Sequence, residues 1–261
     1  MATRGASSAT GVTKMAEILH PRLAWQIGEV VETHPATPRA KSLLLDVPGW
    51  EGHKAGQHVD IRLTAEDGYQ AQRSYSIASA PEDNRVELVV ERLDDGEVSP
   101  YLTDELRPGD KLELRGPIGG WFAWEAKDGG PLFFVAGGSG IAPLMAMIRH
   151  RAAAGSDASC HLLYSSRSRE ETIFADELDQ LAASDGSLQV FHTLTRSQPP
   201  DWTGYARRID RVMLAEVSPE ENPLAFVCGP TPLVESVATE LVGLGHDARR
   251  IKTERFGPTG G

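Results

Sequence analysis

Apolar and polar residues follow two different rhythms along the chain, and the change falls near Gly116–Gly120. From Trp25 to about Gly116, short segments with a period near two are broken by Pro and Gly. Gln26–Glu32, Lys41–Val47, His58–Leu63, Arg73–Ala78, Val86–Glu91 and Lys111–Leu114 each predict a strand. Six such segments at this spacing predict a small antiparallel β-barrel. One predicted helix interrupts them, with Ser99 as its cap, Pro100 in its first turn, Tyr101–Leu106 as its body and Pro108-Gly109 as its stop. The N-terminus of that helix is one possible anion site.

Beyond Gly120 the segments become continuous apolar runs: Leu132–Ala136, Cys160–Tyr164, Leu188–Thr195 and Leu224–Cys228. Between them, Leu144–Ala154, Glu170–Ala183 and Val212–Val217 predict helices, the first of them amphipathic. A last helix, Leu233–Leu244, stops at Gly245 and leads to a final strand, Arg250–Phe256. Strands alternating with helices imply a parallel sheet covered on both faces. The predicted architecture is two-domain: a disordered tail over 1–20, an antiparallel β-barrel over 21–122, then an α/β parallel-sheet nucleotide-binding domain over 123–261.

Composition narrows the function classes. A net charge of -11 argues against nonspecific nucleic-acid or anionic-membrane binding, both of which need a basic face. No apolar run is long enough to span a bilayer, and the Ala/Ser/Thr/Gly-rich start lacks an apolar signal core, so a cytoplasmic protein is expected. Two cysteines, Cys160 and Cys228, are too few for a four-thiolate iron–sulfur cluster. The eight histidines show no metal-binding spacing, so no metal is expected. The carboxylates of 91–97 and 216–221 are expected to lie in solvated loops.

The chemistry-bearing stretch is Gly137-Gly138-Ser139-Gly140-Ile141-Ala142-Pro143, set between an apolar strand and a helix. Helix N-termini present unpaired N–H groups, and glycines let the backbone approach an anion, so this loop is a candidate pyrophosphate cradle. It departs from the usual dinucleotide fingerprint, because a third glycine is missing and Pro143 stands in the first turn. Ile141 two places after Ser139 also rules out a Gly-x-Ser-x-Gly nucleophile elbow. In the barrel, Arg73-Ser74-Tyr75-Ser76 lies on a strand, where alternation puts Arg73 and Tyr75 on one face and Ser74 and Ser76 on the other. Arginine, aromatic ring and hydroxyl are the three groups that a flavin uses.

Arg73-x-Tyr75-Ser76, then Gly96-Glu97-Val98-Ser99, Gly116-Pro117-x-Gly119, Gly137–Pro143 and Cys228-Gly229-Pro230, in that order, resemble the ferredoxin–NADP reductase family from about Trp25 to Phe256. The resemblance implies an FAD-binding barrel followed by a nicotinamide-dinucleotide domain. It would place Arg73 on the flavin phosphates, Tyr75 against the flavin ring and Ser76 near its N5 edge. Ser74 falls within the same motif. Val90, Arg92 and the turn Gly96, Val98, Ser99 would hold the ribityl and pyrophosphate portion, and this turn favours FAD over FMN. Gly138, Ser139, Gly140 and Pro143 would cradle the dinucleotide, and Cys228, with Gly229 and Pro230, would lie beside the nicotinamide. Ser165 and Arg167, then Arg196, then Arg208, resemble a clamp for the extra phosphate of NADP, so NADP(H) is expected over NAD(H). Glu254 is a candidate proton relay and Phe256 a candidate cover for the flavin ring.

The expected catalytic set is therefore Ser76, Cys228 and Glu254. The expected activity is an NAD(P)H-dependent reductase that passes single electrons to a partner such as a ferredoxin, flavodoxin, oxygenase or haem component. Only 257–261 follow Phe256, so that acceptor is expected to be a separate molecule. Two alternatives stay open at this point: a reductase of free flavin or another small acceptor, and a non-catalytic dinucleotide-binding module.

Overall fold

The computed structural model describes residues 23–219 and 222–257. The tail expected over 1–20, Glu220, Glu221 and the last residues from 258 lie outside the described residues. Six strands form the first half: β1 (Gln26–Thr37), β2 (Ala40–Asp46), β3 (His58–Thr64), β4 (Gln70–Ser76), β5 (Val86–Glu91) and β6 (Lys111–Ile118). Their order is β4-β3-β6-β1-β2-β5, and every neighbouring pair is antiparallel. The edges then meet. Ile77, just past β4, bridges Leu88 of β5, and the Ala78 N–H donates to the Glu87 carbonyl at 2.8 Å. The sheet thereby closes into the expected barrel around Leu43, Leu45, Ile61, Leu88, Val90 and Leu114, all fully buried. Closure also explains why β4 ends before the predicted Ala78: at Ile77 the chain exchanges β3 for β5 as its partner.

The helix predicted after Ser99 is a single π turn, Tyr101–Glu105, preceded by Pro100. Ser99 does not cap it. Its hydroxyl accepts the Leu93 N–H at 3.0 Å instead, closing the turn before the helix.

The second half is a five-stranded parallel sheet of β7 (Leu132–Gly137), β8 (Cys160–Ser166), β9 (Leu188–Leu194), β10 (Leu224–Pro230) and β11 (Ile251–Phe256), in the order β11-β10-β7-β8-β9. Four helices cover it: α1 (Ile141–Ala153), α2 (Ala175–Ser184), α3 (Arg211–Val217) and α4 (Thr231–Gly243). The period of two divides each strand between the two faces. Leu132, Phe134 and Ala136 of β7 join the core with α1 and α2, while Phe133 and Val135 join the core with α3 and α4. Helix α2 begins five residues later than predicted. The Tyr164 hydroxyl accepts the Ile173 N–H at 3.2 Å, and Phe174 takes a left-handed φ of 58°, so the segment before Ala175 is a turn.

Helix α1 differs from its amphipathic expectation: Ile141 through Ile148 are all buried. The parallel sheet covers one side of α1, and the barrel covers the other, with Ala55, Ala78 and Val89 in the same apolar cluster. Each large apolar side chain so buried contributes about 1.5–3 kcal/mol, which makes this helix the adhesive between the two halves. Polar contacts fix its orientation. Arg149 donates from Nη1 to the Ala78 carbonyl at 2.8 Å and to Glu87 of β5, and its Nε and Nη2 grip Glu177 of α2 at 2.8 and 2.7 Å. The two carboxylates hold the Arg149 guanidinium well above its ordinary pKa. No helix among the described residues is long and apolar enough to cross a membrane.

The glycine loop is packed too tightly for a side chain at Gly140, where an added Cβ would stand 2.3 Å from the Cys228 carbonyl oxygen and 2.9 Å from the Gly229 nitrogen. Gly140→Ala is therefore expected to lower unfolding free energy by about 1–3 kcal/mol, read by urea denaturation.

Candidate functional site

The glycine loop sits at the carboxyl ends of the parallel strands, where open α/β sheets receive ligands. Gly138–Gly140 form a short 3-10 turn leading straight into α1, with Pro143 in its first helical turn. The Ser139 hydroxyl donates to Glu91 Oε2 at 3.0 Å, tying the loop to the last residue of β5. A cavity opens between the halves at this point. Gly137, Gly138, Ser165, Arg167, Pro230 and Phe256 line it from the α/β side, and Arg39 and Glu91 from the barrel. Ser166 also faces this cavity with a buried hydroxyl oxygen that has no partner.

Of the three arginines expected as a phosphate clamp, Arg167 lines the cavity, and the Arg196 N–H donates to the Arg167 carbonyl at 2.9 Å. Arg208 is exposed and outside the lining residues, in the segment held to β9 by the Thr193 hydroxyl on the Arg207 carbonyl. Arg167 is not free of acidic neighbours, since Glu171 lies 3.3 Å from its Nη1 and lines the same cavity.

On the barrel, Arg73 and the 96–99 turn come together, because Arg73 Nη2 donates to Glu97 Oε2 at 2.8 Å. Glu97 also accepts the Tyr69 hydroxyl, and Arg92 pairs with Asp94 and, at 2.9 Å, with Asp104. Both arginines that were expected on flavin phosphates are thus matched to carboxylates. These pairs are exposed, and exposed pairs contribute about 0–1 kcal/mol, so a phosphate can displace them at little cost. Glu97 is the exposed loop carboxylate anticipated, though paired with Arg73, whereas Glu91 is half-buried at the end of β5 and bonded to Ser139, unlike the solvated loop expected of it. Ser74 is a further correction: its hydroxyl donates to Asp60 Oδ1 at 2.6 Å, on the face opposite Arg73 and Tyr75. Val90 and Val98 are fully buried, so they can offer a ligand only their backbone. Tyr75 packs half-buried on the barrel core, and desolvation raises its phenol pKa.

The expected catalytic residues converge through two ladders. Ser76 faces His58 across β4 and β3, and Cys228 faces Glu254 across β10 and β11. The two ladders meet where His58 Nδ1 lies 3.7 Å from Glu254 Oε1. The Cys228 thiol is 1% exposed, and burial followed by the Glu254 charge pushes its pKa well up, so it stays a neutral thiol. Glu254 keeps 26% of its side chain exposed, yet its Oε2 is buried with no hydrogen-bond partner. Desolvation raises its pKa from 4.5 to about 7. His58, Arg149 and Glu91 carried no sequence motif; only the tertiary fold gives them their partners.

The comparisons with known proteins agree with this geometry. Residues 39–122 match the family described as oxidoreductase FAD-binding domain, and residues 134–239 match oxidoreductase NAD-binding domain. Ferredoxin–NADP reductase B of Sorangium cellulosum is 32% identical over 237 residues, covering 87% of this chain and 96% of that protein. The chain belongs to the ferredoxin–NADP reductase family. The glycine betaine monooxygenase reductase subunit of Pseudomonas aeruginosa is also 32% identical, over 79% of this chain, which spans 57% of that relative's length. Among solved structures, the FAD/NAD-binding domain of nitric oxide dioxygenase from Vibrio cholerae superposes with a TM-score of 0.79 at 26% identity, covering 89% of this chain and 99% of that one.

The family implies FAD and a pyridine nucleotide, and the residues fit both. The unpartnered Ser166 hydroxyl, the neighbouring Ser165, Arg167 and Thr195, and the cavity-lining backbone of Gly137 and Gly138 suit a polyanionic dinucleotide. The unpartnered Glu254 carboxyl oxygen and the displaceable Arg73–Glu97 pair suit a flavin along the barrel.

Glu254 binds its proton more tightly in the folded protein than in the unfolded chain. Stability therefore falls as pH rises from about 4.5 to about 7 and stays lowered above that. At matched FAD occupancy, Glu254→Gln is expected to be more stable than the native chain by about 2–3 kcal/mol at pH 8 and nearly equal to it below pH 5. Thermal unfolding at the two pH values checks this.

Proposed function

We propose that this chain is a cytoplasmic flavoprotein reductase that takes reducing equivalents from NADPH and passes single electrons to a separate acceptor protein. The observation that carries the reading is the junction of the two ladders, where Ser76 and His58 of the barrel meet Cys228 and Glu254 of the α/β half. Residues 21–122 form the flavin-binding half and 123–261 the nucleotide half, in keeping with β6 ending at Ile118 and β7 beginning at Leu132. Bound FAD would supply the step that converts a two-electron hydride donor into a one-electron source.

The protein's own residues supply placement. Arg73 and the 96–99 turn bind the flavin phosphates once Glu97 moves aside. Tyr75 and Phe256 set the plane of the flavin ring. Gly138–Gly140, with Pro143 in the helical turn that follows, seat the dinucleotide, with Gly229 and Pro230 shaping the far wall. The neutral Cys228 thiol would pack against the nicotinamide, and Ser76 and Glu254 would hold the proton that the flavin exchanges. A cytoplasmic setting accords with both cysteines being free thiols. The acceptor's chemistry is read from relatives named as a ferredoxin reductase and as a reductase subunit of a monooxygenase.

The NADPH preference rests on Arg167 and Arg196 side by side with the Ser165, Ser166 and Thr195 hydroxyls. The Glu171 carboxylate beside Arg167 is the one observation that favours NADH instead, since a carboxylate suits ribose hydroxyls and repels an added phosphate. Anaerobic titration of the yellow protein, following visible flavin absorption, separates the two. Bleaching at much lower NADPH than NADH is expected. Arg167→Ala should weaken NADPH about tenfold while leaving NADH unchanged. A colourless protein that takes up no FAD would overturn the assignment, and an NADH preference would remove the clamp alone.

A further inference from the structure

His58 brings an ionisable barrel side chain to the junction, and the proposed placement of the cofactors gives its imidazole no chemical role. It stands opposite Ser76 in the β3–β4 ladder, with its Nδ1 aimed at Glu254 Oε1 across 3.7 Å. Gly119, at φ +96°, packs against the Nδ1–Cε1 edge of the ring: an added Cβ would touch Nδ1 at 3.5 Å and Cε1 at 3.6 Å. Nδ1 is therefore flanked by both Gly119 and the carboxyl group, and the side chain keeps 23% of its surface exposed.

The other charged and titratable groups around it are already committed. Asp60, two residues along β3, accepts from Arg115 of β6, Gln72 and Ser74. On β11, Lys252 donates to the Ala123 carbonyl at 2.9 Å. The Cys228 thiol of β10 stays neutral. Burial holds His58 below the ordinary histidine pKa, so near neutral pH it is an unprotonated base facing a carboxyl group. At 3.7 Å the pair is too long for a hydrogen bond, and a shift of about 0.8 Å or one bridging water completes it.

We propose that His58 is a positioning residue that passes protons between Glu254 and solvent. The Glu254 Oε1–H bond breaks as a His58 Nδ1–H bond forms. The Nε2–H proton of the resulting imidazolium then leaves to water, and the neutral ring is left in the other tautomer. Reverse transfer recharges Glu254. Glu254 thereby exchanges its proton while nucleotide and flavin fill the cleft, with at most one water between it and the ring. The inference rests on the reductase reading, and its test has a readout that does not depend on turnover.

The direct measurement is the imidazole 15N spectrum of His58 in the FAD-containing protein, followed across neutral pH. With Glu254 protonated, Nδ1 accepts and the ring is the Nε2–H tautomer; with Glu254 ionised, the ring becomes Nδ1–H. A tautomer change with the midpoint of Glu254, abolished in Glu254→Gln, is expected. One tautomer at every pH, or a change that survives Glu254→Gln, would overturn the proposal. As a second arm, His58→Ala should slow ferricyanide reduction by the NADPH-reduced protein about tenfold or more, and added imidazole should restore it. An unchanged rate, or a loss that imidazole does not rescue, would contradict it. A protein that is yellow and bleached by NADPH but shows no tautomer change refutes this inference alone, whereas a colourless protein refutes the reductase reading.

Discussion

The structure depends on one guanidinium. Arg149 leaves α1 two turns after the glycine loop and holds, at once, a barrel carbonyl, a barrel carboxylate and a carboxylate of α2. Its side chain is 18% exposed and that of Glu87 17%, so removing either would leave a poorly solvated charge, a loss of about 3–5 kcal/mol in comparable buried pairs. Apolar packing around α1 is larger in sum, but it is non-directional and would tolerate a few ångströms of sliding. The arginine has no such latitude. It sets the rotation of one half on the other, and that rotation determines whether Glu254 meets His58.

Around this contact, the same short segment performs three tasks. Gly137 and Gly138 line the cavity, Ser139 ties the loop to Glu91, and the helix that follows carries both the apolar interface and Arg149. A ligand seated on the loop therefore touches the elements that hold the two halves together. Tight backbone packing at Gly140 against Cys228 extends the coupling to β10 and β11, where the thiol and the raised carboxyl stand.

Much of this was legible in the sequence. Period-two segments gave the barrel strands to within a few residues, and the strand–helix alternation gave the parallel sheet with both faces covered. The glycine loop, Cys228 and Glu254 could be singled out in advance because their spacing is local or their motif is contiguous. What escaped did so for physical reasons. Ser99 could cap a helix or close a turn, and only the fold shows the Leu93 N–H that claims it. Helix α1 has polar residues at intervals, but Arg149 and His150 satisfy barrel partners and Arg151 is buried on Asp185, so an amphipathic pattern concealed a helix enclosed on all sides. Glu91 and His58 gain their partners only through contacts between segments far apart in the chain. Ser74 shows the converse error, a residue inside a motif whose hydroxyl is claimed by Asp60 on the other face.

The orientation of the two halves, fixed at Arg149, is what brings the nucleotide half onto the flavin half. Stopped-flow reduction of bound FAD by saturating NADPH in Arg149→Met tests it most directly. The barrel keeps its own core, so the variant should remain yellow, while flavin reduction should slow by tenfold to a hundredfold because the reacting groups are displaced by an ångström or so. A yellow Arg149→Met protein reduced as fast as the native chain would contradict the account.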